Sequence, residues 1–386
     1  MSAITNLIGI IRESTGNKTK GQMTTNKKTI GFFLGLAVFI FILLFVDLEP
    51  GKPVITKTFA VAMLMAIWWV SEALPLSVTA LVPIAAFPLL GILDGRIVSG
   101  SYINHIIFLF IGGFIMALAM ERWDLHKRIA LNILKWVGVS PGRILFGFML
   151  ATMILSMWIS NTATTMMMIP IVTSIIFELE ENIGKKKISK YGLGLLLGIA
   201  YSASIGGNAT LVGTPTNLIC VRILSLLYPT APEISFAQWF AFAVPITIIM
   251  FIAAFGLLYY IFKPKENWHN LSADTFKLQL KALGKTSYEE KTVFVLFISL
   301  ALLWISRAGI SAENFTITGW ASLFEEPAFI NDGTTAIFIS LILFLWPSKN
   351  KPGEKIMNWK TANRLPWNIV LLFGGGFALA KGFESS

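Results

Sequence analysis

The chain alternates between long apolar runs and short polar segments. A run of about 20 apolar residues is enough to cross the hydrocarbon core of a bilayer as a helix. The pattern therefore predicts an all-α polytopic membrane protein. The apolar runs are 30–47, 57–74, 76–93, 105–120, 143–178, 191–225, 237–262, 291–308, 332–347 and 367–380. Two of them are unusual, because 143–178 is too long for one span and 191–225 is interrupted by Gly, Thr and Pro.

Composition supports the membrane assignment and excludes other classes. Of the 386 residues, 55% are hydrophobic and 13% are charged, whereas about a quarter of the residues of an ordinary soluble domain are charged. The single Cys220 excludes a disulfide scaffold and a zinc site built from cysteines. An intramembrane enzyme is disfavoured, because the chain has no nucleophile-elbow, zinc-protease or P-loop motif and no paired intramembrane carboxylates.

The positions of Lys and Arg predict the orientation, since cytoplasmic loops carry an excess of these residues. If the N-terminus is cytoplasmic and 143–178 is a re-entrant hairpin, five polar segments lie inside the cell. Those segments hold 25 of the 31 Lys and Arg residues: 1–29, 121–143, 179–190, 263–291 and 348–365. A single crossing at 143–178 would instead place the basic Lys185–Lys187 run outside. The net charge of +10 thus reflects basic loops on the cytoplasmic side of a cell (inner) membrane. Nucleic-acid binding is disfavoured, because the basic residues are spread over many short loops.

An internal repeat appears when the chain is shifted by 263 residues. The Phe110–Phe114 segment then aligns with Phe373–Phe377, and each segment carries a pair of glycines between phenylalanines. An odd number of crossings between the two copies gives them opposite orientations. Inverted repeats are typical of secondary transporters, whose substrate sites form near mid-membrane where the repeats meet.

The centre of 143–178 carries the first candidate site. Hydroxyl and amide groups there are costly in hydrocarbon unless they are paired or line a cavity. If one helix ends and another begins at this point, free carbonyls suit a hard cation and free N–H groups suit an anion. Ser156 lies one turn before Ser160, so both hydroxyls can face one ion. The alternative, that these residues only join neighbouring helices, is less favoured for a dense cluster.

The second candidate site lies within 191–225. A Gly206-Gly207 pair and a Gly213-Thr214-Pro215 sequence in one span predict an unwound helix with free backbone groups. A simple proline kink is the alternative. The density of Asn and Thr around the break favours a lined cavity.

Three motifs resemble the divalent anion/sodium symporter family, which includes dicarboxylate, citrate and sulfate carriers. They are Ser160-Asn161-Thr162, the segment Gly213–Asn217 and the segment Trp68–Pro75. The resemblance extends from about residue 30 to the end of the chain. It implies a homodimer in which a mobile transport region works as an elevator against a scaffold. The chain departs from the family pattern at Thr216, where a second Pro is usual.

The resemblance also implies which residues bind ions and substrate. The implied first sodium site consists of Ser156, Ser160, Asn161 and Gly213. The implied substrate contacts are Asn161, Thr162, Thr214 and Pro215. The favoured function is sodium-coupled transport of a C4-dicarboxylate such as succinate, malate or fumarate, with Na⁺ as the co-transported ion; sulfate or citrate is the alternative cargo.

The runs and the repeat together predict a domain organisation. The segments are a cytoplasmic N-terminal segment 1–29, scaffold spans 30–142, a transport region 143–262, a cytoplasmic linker 263–290 and second-repeat scaffold spans 291–386. The transport region contains the hairpin 143–178, the broken helix 191–225 and the span 237–262. The family has a second hairpin and a second broken helix, which the offset places beyond Ser386. We therefore expect an incomplete second repeat, and a non-transporting fragment is a further alternative.

Overall fold

A computed structural model of the chain describes residues 18–138, 140–228, 230–264, 274–312 and 315–386. This part is helical apart from two short antiparallel strands, β1 (Ile310–Ala312) and β2 (Phe315–Ile317), and an isolated bridge between Pro347 and Lys355. The predicted all-α class is confirmed, and the strand pair is an addition that the apolar pattern does not predict. Residues 1–17 of the predicted N-terminal segment and 265–273 of the predicted linker lie outside the described residues.

The helices follow the apolar runs closely. The first nine are α1 (Lys18–Phe45), α2 (Pro53–Ser71), α3 (Leu76–Thr79), α4 (Val82–Leu89), α5 (Gly95–Tyr102), α6 (His105–Arg122), α7 (Leu125–Val137), α8 (Pro141–Ser156) and α9 (Asn161–Ile183). The others are α10 (Lys185–Gly207), α11 (Pro215–Leu227), α12 (Phe236–Phe262), α13 (Asp274–Ala282), α14 (Tyr288–Ser306), α15 (Asp332–Leu345), α16 (Trp359–Ala362) and α17 (Trp367–Ser385). Two 3₁₀ turns, Trp320–Leu323 and Pro327–Phe329, precede α15.

Six helical segments in the described part are long and apolar enough to cross a membrane. They are Asn26–Phe45, Pro53–Ser71, Gly95–Arg122, Asn161–Glu181, Lys185–Gly207 and Phe236–Phe262. Shorter apolar helices occupy Leu76–Leu89, Pro141–Ser156 and Asp332–Leu345. These segments agree with the predicted polytopic membrane protein.

Among the described residues, one compact unit comprises 18–104 together with Pro366–Ser386. Its core contains Met65, Phe87 and Ala378. The run 76–93 forms two short helices in place of one span. Proline explains the break, because Pro83 lacks the N–H that would bond the carbonyl four residues earlier in a continuous helix.

The second compact unit is His105–Leu365. The helices α8, α9 and α10 pack around a core that includes Phe148, Val172 and Leu195, all fully buried. The described end of the predicted linker adds the helix α13, whose Phe276 is buried with its ring centroid 6.4 Å from that of Phe148. The polar composition of this segment predicts a linker, whereas the helix packs on the core through apolar side chains such as Phe276.

Candidate functional site

The hairpin within 143–178 is a pair of helices joined by a four-residue turn. The helix α8 ends at Ser156 and α9 begins at Asn161. Ser160 starts the second helix as its N-cap, since the Ser160 Oγ accepts a hydrogen bond from the Ala163 N–H at 3.3 Å. The polar tripeptide therefore marks a helix start, and the C-terminal end of α8 and the N-terminal end of α9 lie on either side of the turn.

The interruption within 191–225 is also confirmed. The helix α10 ends at Gly207, and α11 begins at Pro215, in the first-turn position that proline favours. Asn217 reaches back across the break, and its Nδ2 donates to the Gly207 carbonyl at 2.9 Å and the Thr210 carbonyl at 2.7 Å. A side-chain amide thus satisfies the last carbonyl of α10 and one carbonyl of the segment between the two helices.

Oxygen atoms from the hairpin and the interrupted helix converge at Ser156. The Ser156 Oγ lies 2.8 Å from the Asn161 Oδ1 and 2.7 Å from the Ala203 carbonyl oxygen. A serine hydroxyl has one proton and can donate it fully to one oxygen only. The cluster therefore has more acceptor oxygens than protons, which favours a hard cation such as Na⁺.

Two glycines allow the interrupted helix to approach this cluster. A Cβ on Gly207 would lie 2.3 Å from the Asn161 Oδ1. A Cβ on Gly213 would lie 2.6 Å from the Gly207 carbonyl oxygen and 2.9 Å from the Ser156 carbonyl oxygen. All three distances are too short for a side-chain carbon at either glycine. Ser156, Asn161 and Gly213, which sequence reasoning assigned to one sodium site, are therefore neighbours in the fold.

Thr210 connects the two interruptions by its side chain. Its hydroxyl donates a short hydrogen bond to the Met157 carbonyl in the hairpin turn. The same oxygen accepts the Gly213 N–H at 3.0 Å. Sequence reasoning noted the density of Thr and Asn here without assigning Thr210, Asn217 or the Ala203 carbonyl to the site.

The predicted substrate residues lie at two helix N-termini. Thr162 is exposed in the first turn of α9, while Thr214 and Pro215 are half-buried at the start of α11. The Thr214 and Thr216 hydroxyls are 3.4 Å apart. Neither helix has an acidic residue in its first turn, so both N-termini keep their attraction for anions. Among the described residues, no hydrogen bond joins Thr162 to Thr214 or Pro215.

Aromatic packing fixes the hairpin turn against two other helices. The Trp158 ring lies edge-on to Phe297 of α14, with centroids 4.8 Å apart, and stacks on Phe236 of α12 at 5.9 Å. Phe236 stacks in turn on Trp304 at 4.7 Å. Such pairs contribute about 0.5–1.5 kcal/mol each beyond their buried area. The turn that carries Ser160 is thus held by both hydrogen bonds and aromatic contacts.

Comparison with known proteins gives a consistent result. The family described as "Sodium:sulfate symporter transmembrane region" matches residues 26–386. The sodium-dependent dicarboxylate transporter SdcS of Staphylococcus saprophyticus is 40% identical over 378 residues, which cover 96% of this chain and 70% of that protein. SdcS of Staphylococcus aureus strain MRSA252 is 41% identical over 378 residues, with the same coverage of 96% and 70%. SdcS of strain NCTC 8325 is 42% identical over 365 residues, covering 92% of this chain and 68% of that protein.

Proposed function

Because the chain belongs to the family described as the sodium:sulfate symporter transmembrane region, we propose that it is a sodium-coupled transporter of dicarboxylates. It is a multi-pass membrane protein, and its relatives above are named as sodium-dependent dicarboxylate transporters. The observation that carries the proposal is the convergence of the Ser156, Asn161 and Ala203 oxygens where two apolar helices are interrupted. Uncharged oxygens of this kind bind a hard cation, and helix N-termini without acidic residues bind an anion.

The proposed sodium site uses the Ser156 and Ser160 hydroxyls, the Asn161 amide oxygen and the Gly213 carbonyl. Its support is the contact between Ser156 and Asn161 and the approach of Gly213 to the Ser156 carbonyl. The Ser160 oxygen caps α9 with one lone pair and keeps another for an ion.

The proposed substrate is a C4-dicarboxylate such as succinate, malate or fumarate. One carboxylate binds Asn161 and Thr162 at the start of α9, and Thr214 and Pro215 at the start of α11 lie beside it. Bound sodium supplies positive charge next to the dianion, which lowers the cost of placing that dianion within the membrane. Sodium and substrate binding are then linked, and each increases the affinity for the other.

The proposed mechanism is an elevator. The region 143–262 carries ions and substrate across the membrane against a scaffold, within a homodimer whose N-termini are cytoplasmic. The helices α6 and α17, which carry the two Gly-Gly-Phe segments of the predicted inverted repeat, belong to this scaffold.

The test is uptake of radiolabelled succinate into proteoliposomes with and without an inward sodium gradient. We expect uptake only with sodium, and equal uptake in sodium and choline would contradict the proposal. Competition with unlabelled sulfate or citrate tests the alternative cargo. Stronger inhibition by either anion than by malate would replace the C4-dicarboxylate assignment.

A further inference from the structure

We propose that Thr210 is a positioning residue that sets the sodium affinity of this transporter. The inference rests on the proposed function. It adds a residue that is neither a proposed sodium ligand nor a proposed substrate contact. Thr210 lies between α10 and α11 and is fully buried. Its hydroxyl bonds both the hairpin turn and the segment before α11, and its proposed role follows from these two contacts.

The hydroxyl uses its proton on one segment and a lone pair on the other. It donates to the carbonyl of Met157, the residue that follows Ser156 in the hairpin turn. It accepts the N–H of Gly213, whose carbonyl is a proposed sodium ligand, at 3.0 Å. The single proton of the hydroxyl bonds the hairpin turn, and one of its lone pairs bonds the segment before α11. One side chain therefore links the two backbone segments that carry the proposed sodium ligands.

The backbone of Thr210 is fixed as well. Its carbonyl accepts a hydrogen bond from the Asn217 Nδ2 at 2.7 Å, and Asn217 also holds the Gly207 carbonyl. The hydroxyl therefore starts from an anchored position. Small displacements of Gly213 would matter, because a Cβ at that residue would already lie only 2.9 Å from the Ser156 carbonyl oxygen. The Gly213 N also lies 3.3 Å from the Thr210 carbonyl oxygen. Loss of the hydroxyl leaves only this longer contact, which lets Gly213 move away from Ser156 and separates the proposed ligands.

Three substitutions distinguish positioning from simple packing. Thr210→Val keeps the shape and removes the hydroxyl, while Thr210→Ser keeps the hydroxyl and removes a methyl group. Thr152→Val is the matched control, because Thr152 is equally buried in α8 and its hydroxyl donates only within that helix, to the Phe148 carbonyl at 2.7 Å.

The measurement is the sodium concentration that gives half-maximal thermal stabilisation of the purified full chain, with choline keeping the ionic strength constant. We expect Thr210→Val to raise this midpoint roughly tenfold. Thr210→Ser and Thr152→Val should remain within about twofold of the unmodified protein, a change well below that of one lost hydrogen bond. A merely structural role would lower the melting temperature in choline and leave the sodium midpoint in place.

The outcomes separate this inference from the proposed function. Stabilisation of the unmodified protein by sodium, with an unchanged midpoint in Thr210→Val, would overturn the positioning role alone. Absence of any sodium-specific stabilisation in the unmodified protein would overturn both. If Thr210→Val does not fold, Thr210→Ala carries the same expectation, since it removes the hydroxyl without adding bulk.

Discussion

At the scale of single residues, the Ser156 hydroxyl has two oxygen neighbours and one proton. The Asn161 Oδ1 lies 2.8 Å from it and the Ala203 carbonyl lies 2.7 Å from it, with Ser156 fully buried. The hydroxyl can therefore donate its proton to only one of these two oxygens. The lone pairs of the other oxygen are then available to bind a cation.

Removal of the Ser156 hydroxyl should weaken sodium binding. We expect Ser156→Ala to raise the sodium midpoint of succinate uptake roughly tenfold, since one ligand to the ion is lost. Ser101→Ala is the control, because Ser101 is also buried and its hydroxyl donates within its own helix, to the Ile97 carbonyl at 3.3 Å. Equal midpoints in the two variants would remove Ser156 from the sodium site.

Sequence reasoning assigned some residues of this site and could not assign others. Ser156 and Asn161 carry side-chain oxygens that suit a hard cation, whereas Gly213 was assigned through the family resemblance. The Ala203 carbonyl cannot be recognised in this way, because every residue has a carbonyl and only the fold brings this one to Ser156. The partners of Thr210 were hidden for the same reason, since Met157 contributes a backbone atom.

At the scale of elements, a buried ion pair joins α7 to the start of α14. The Arg128 Nε lies 3.1 Å from the Glu290 Oε1, with side chains only 13% and 6% exposed. Glu290 also closes the capping box of α14, where its Oε2 accepts the Ser287 N–H at 2.7 Å. Removal of one partner of such a pair leaves an uncompensated buried charge.

We expect Arg128→Ala to destabilise the protein by about 3–5 kcal/mol. Addition of Glu290→Gln should recover part of this loss, because glutamine is neutral and still accepts the Ser287 N–H. The exposed pair between Arg364 and Glu121 gives the control, and Arg364→Ala should cost less than about 1 kcal/mol. Unfolding in mixed micelles measures the unmodified protein and the three variants. A double variant no more stable than Arg128→Ala would exclude the unpaired charge as the cause.

Glu289 predicts a pH dependence at the same helix start. Burial alone would raise its pKa, but hydrogen bonds from the Asn350 N–H, the Ser348 hydroxyl and the Lys349 N–H outweigh this and lower the pKa from 4.5 to about 2. A lowered folded-state pKa stabilises the protein above the unfolded value, and this stabilisation is lost as the pH falls from 4.5 toward 2.

Melting temperatures measured from pH 7 to pH 3 test this expectation. Glu289→Gln should melt lower than the unmodified protein at pH 7, because it loses the charge-assisted hydrogen bonds. The difference should shrink below about pH 4.5, because Glu289 then takes up a proton in the unfolded state while it stays ionised in the folded state. A difference that stays constant down to pH 3 would contradict the assigned pKa.

Elements with a strong apolar signal could be predicted, and elements that depend on tertiary contact could not. The hairpin and the broken helix follow from interruptions that combine a helix-capping residue, Ser160, or a first-turn proline, Pro215, with neighbouring polar or glycine residues. The helix α13 depends on the buried Phe276 and the partly buried Leu280 in polar sequence, a signal too weak to distinguish from a loop. The division of 76–93 into α3 and α4 depends on Pro83, which an apolar count does not register.

At the scale of the whole molecule, the distribution of positive charge predicts which surfaces are cytoplasmic. The test uses Cys220→Ser, which removes the one native cysteine, with a new cysteine at either of two exposed positions. Leu323→Cys, at a side chain 83% exposed, should react with a membrane-impermeant maleimide in intact cells. Lys186→Cys should react only after permeabilisation. Labelling of Lys186→Cys from outside would make 143–178 a single crossing.

The oxygens of the Ser156 cluster all belong to uncharged groups, and this determines where membrane voltage can act. A binding site without carboxylates is electrically neutral when empty, so its return across the membrane would move no charge. The loaded site carries the charge of its sodium ions less that of the dianion. Each net positive charge is worth about 2.3 kcal/mol per 100 mV. In a cycle of the proposed kind, voltage would therefore act on the loaded step alone, in proportion to its net charge, and leave the empty step to thermal motion.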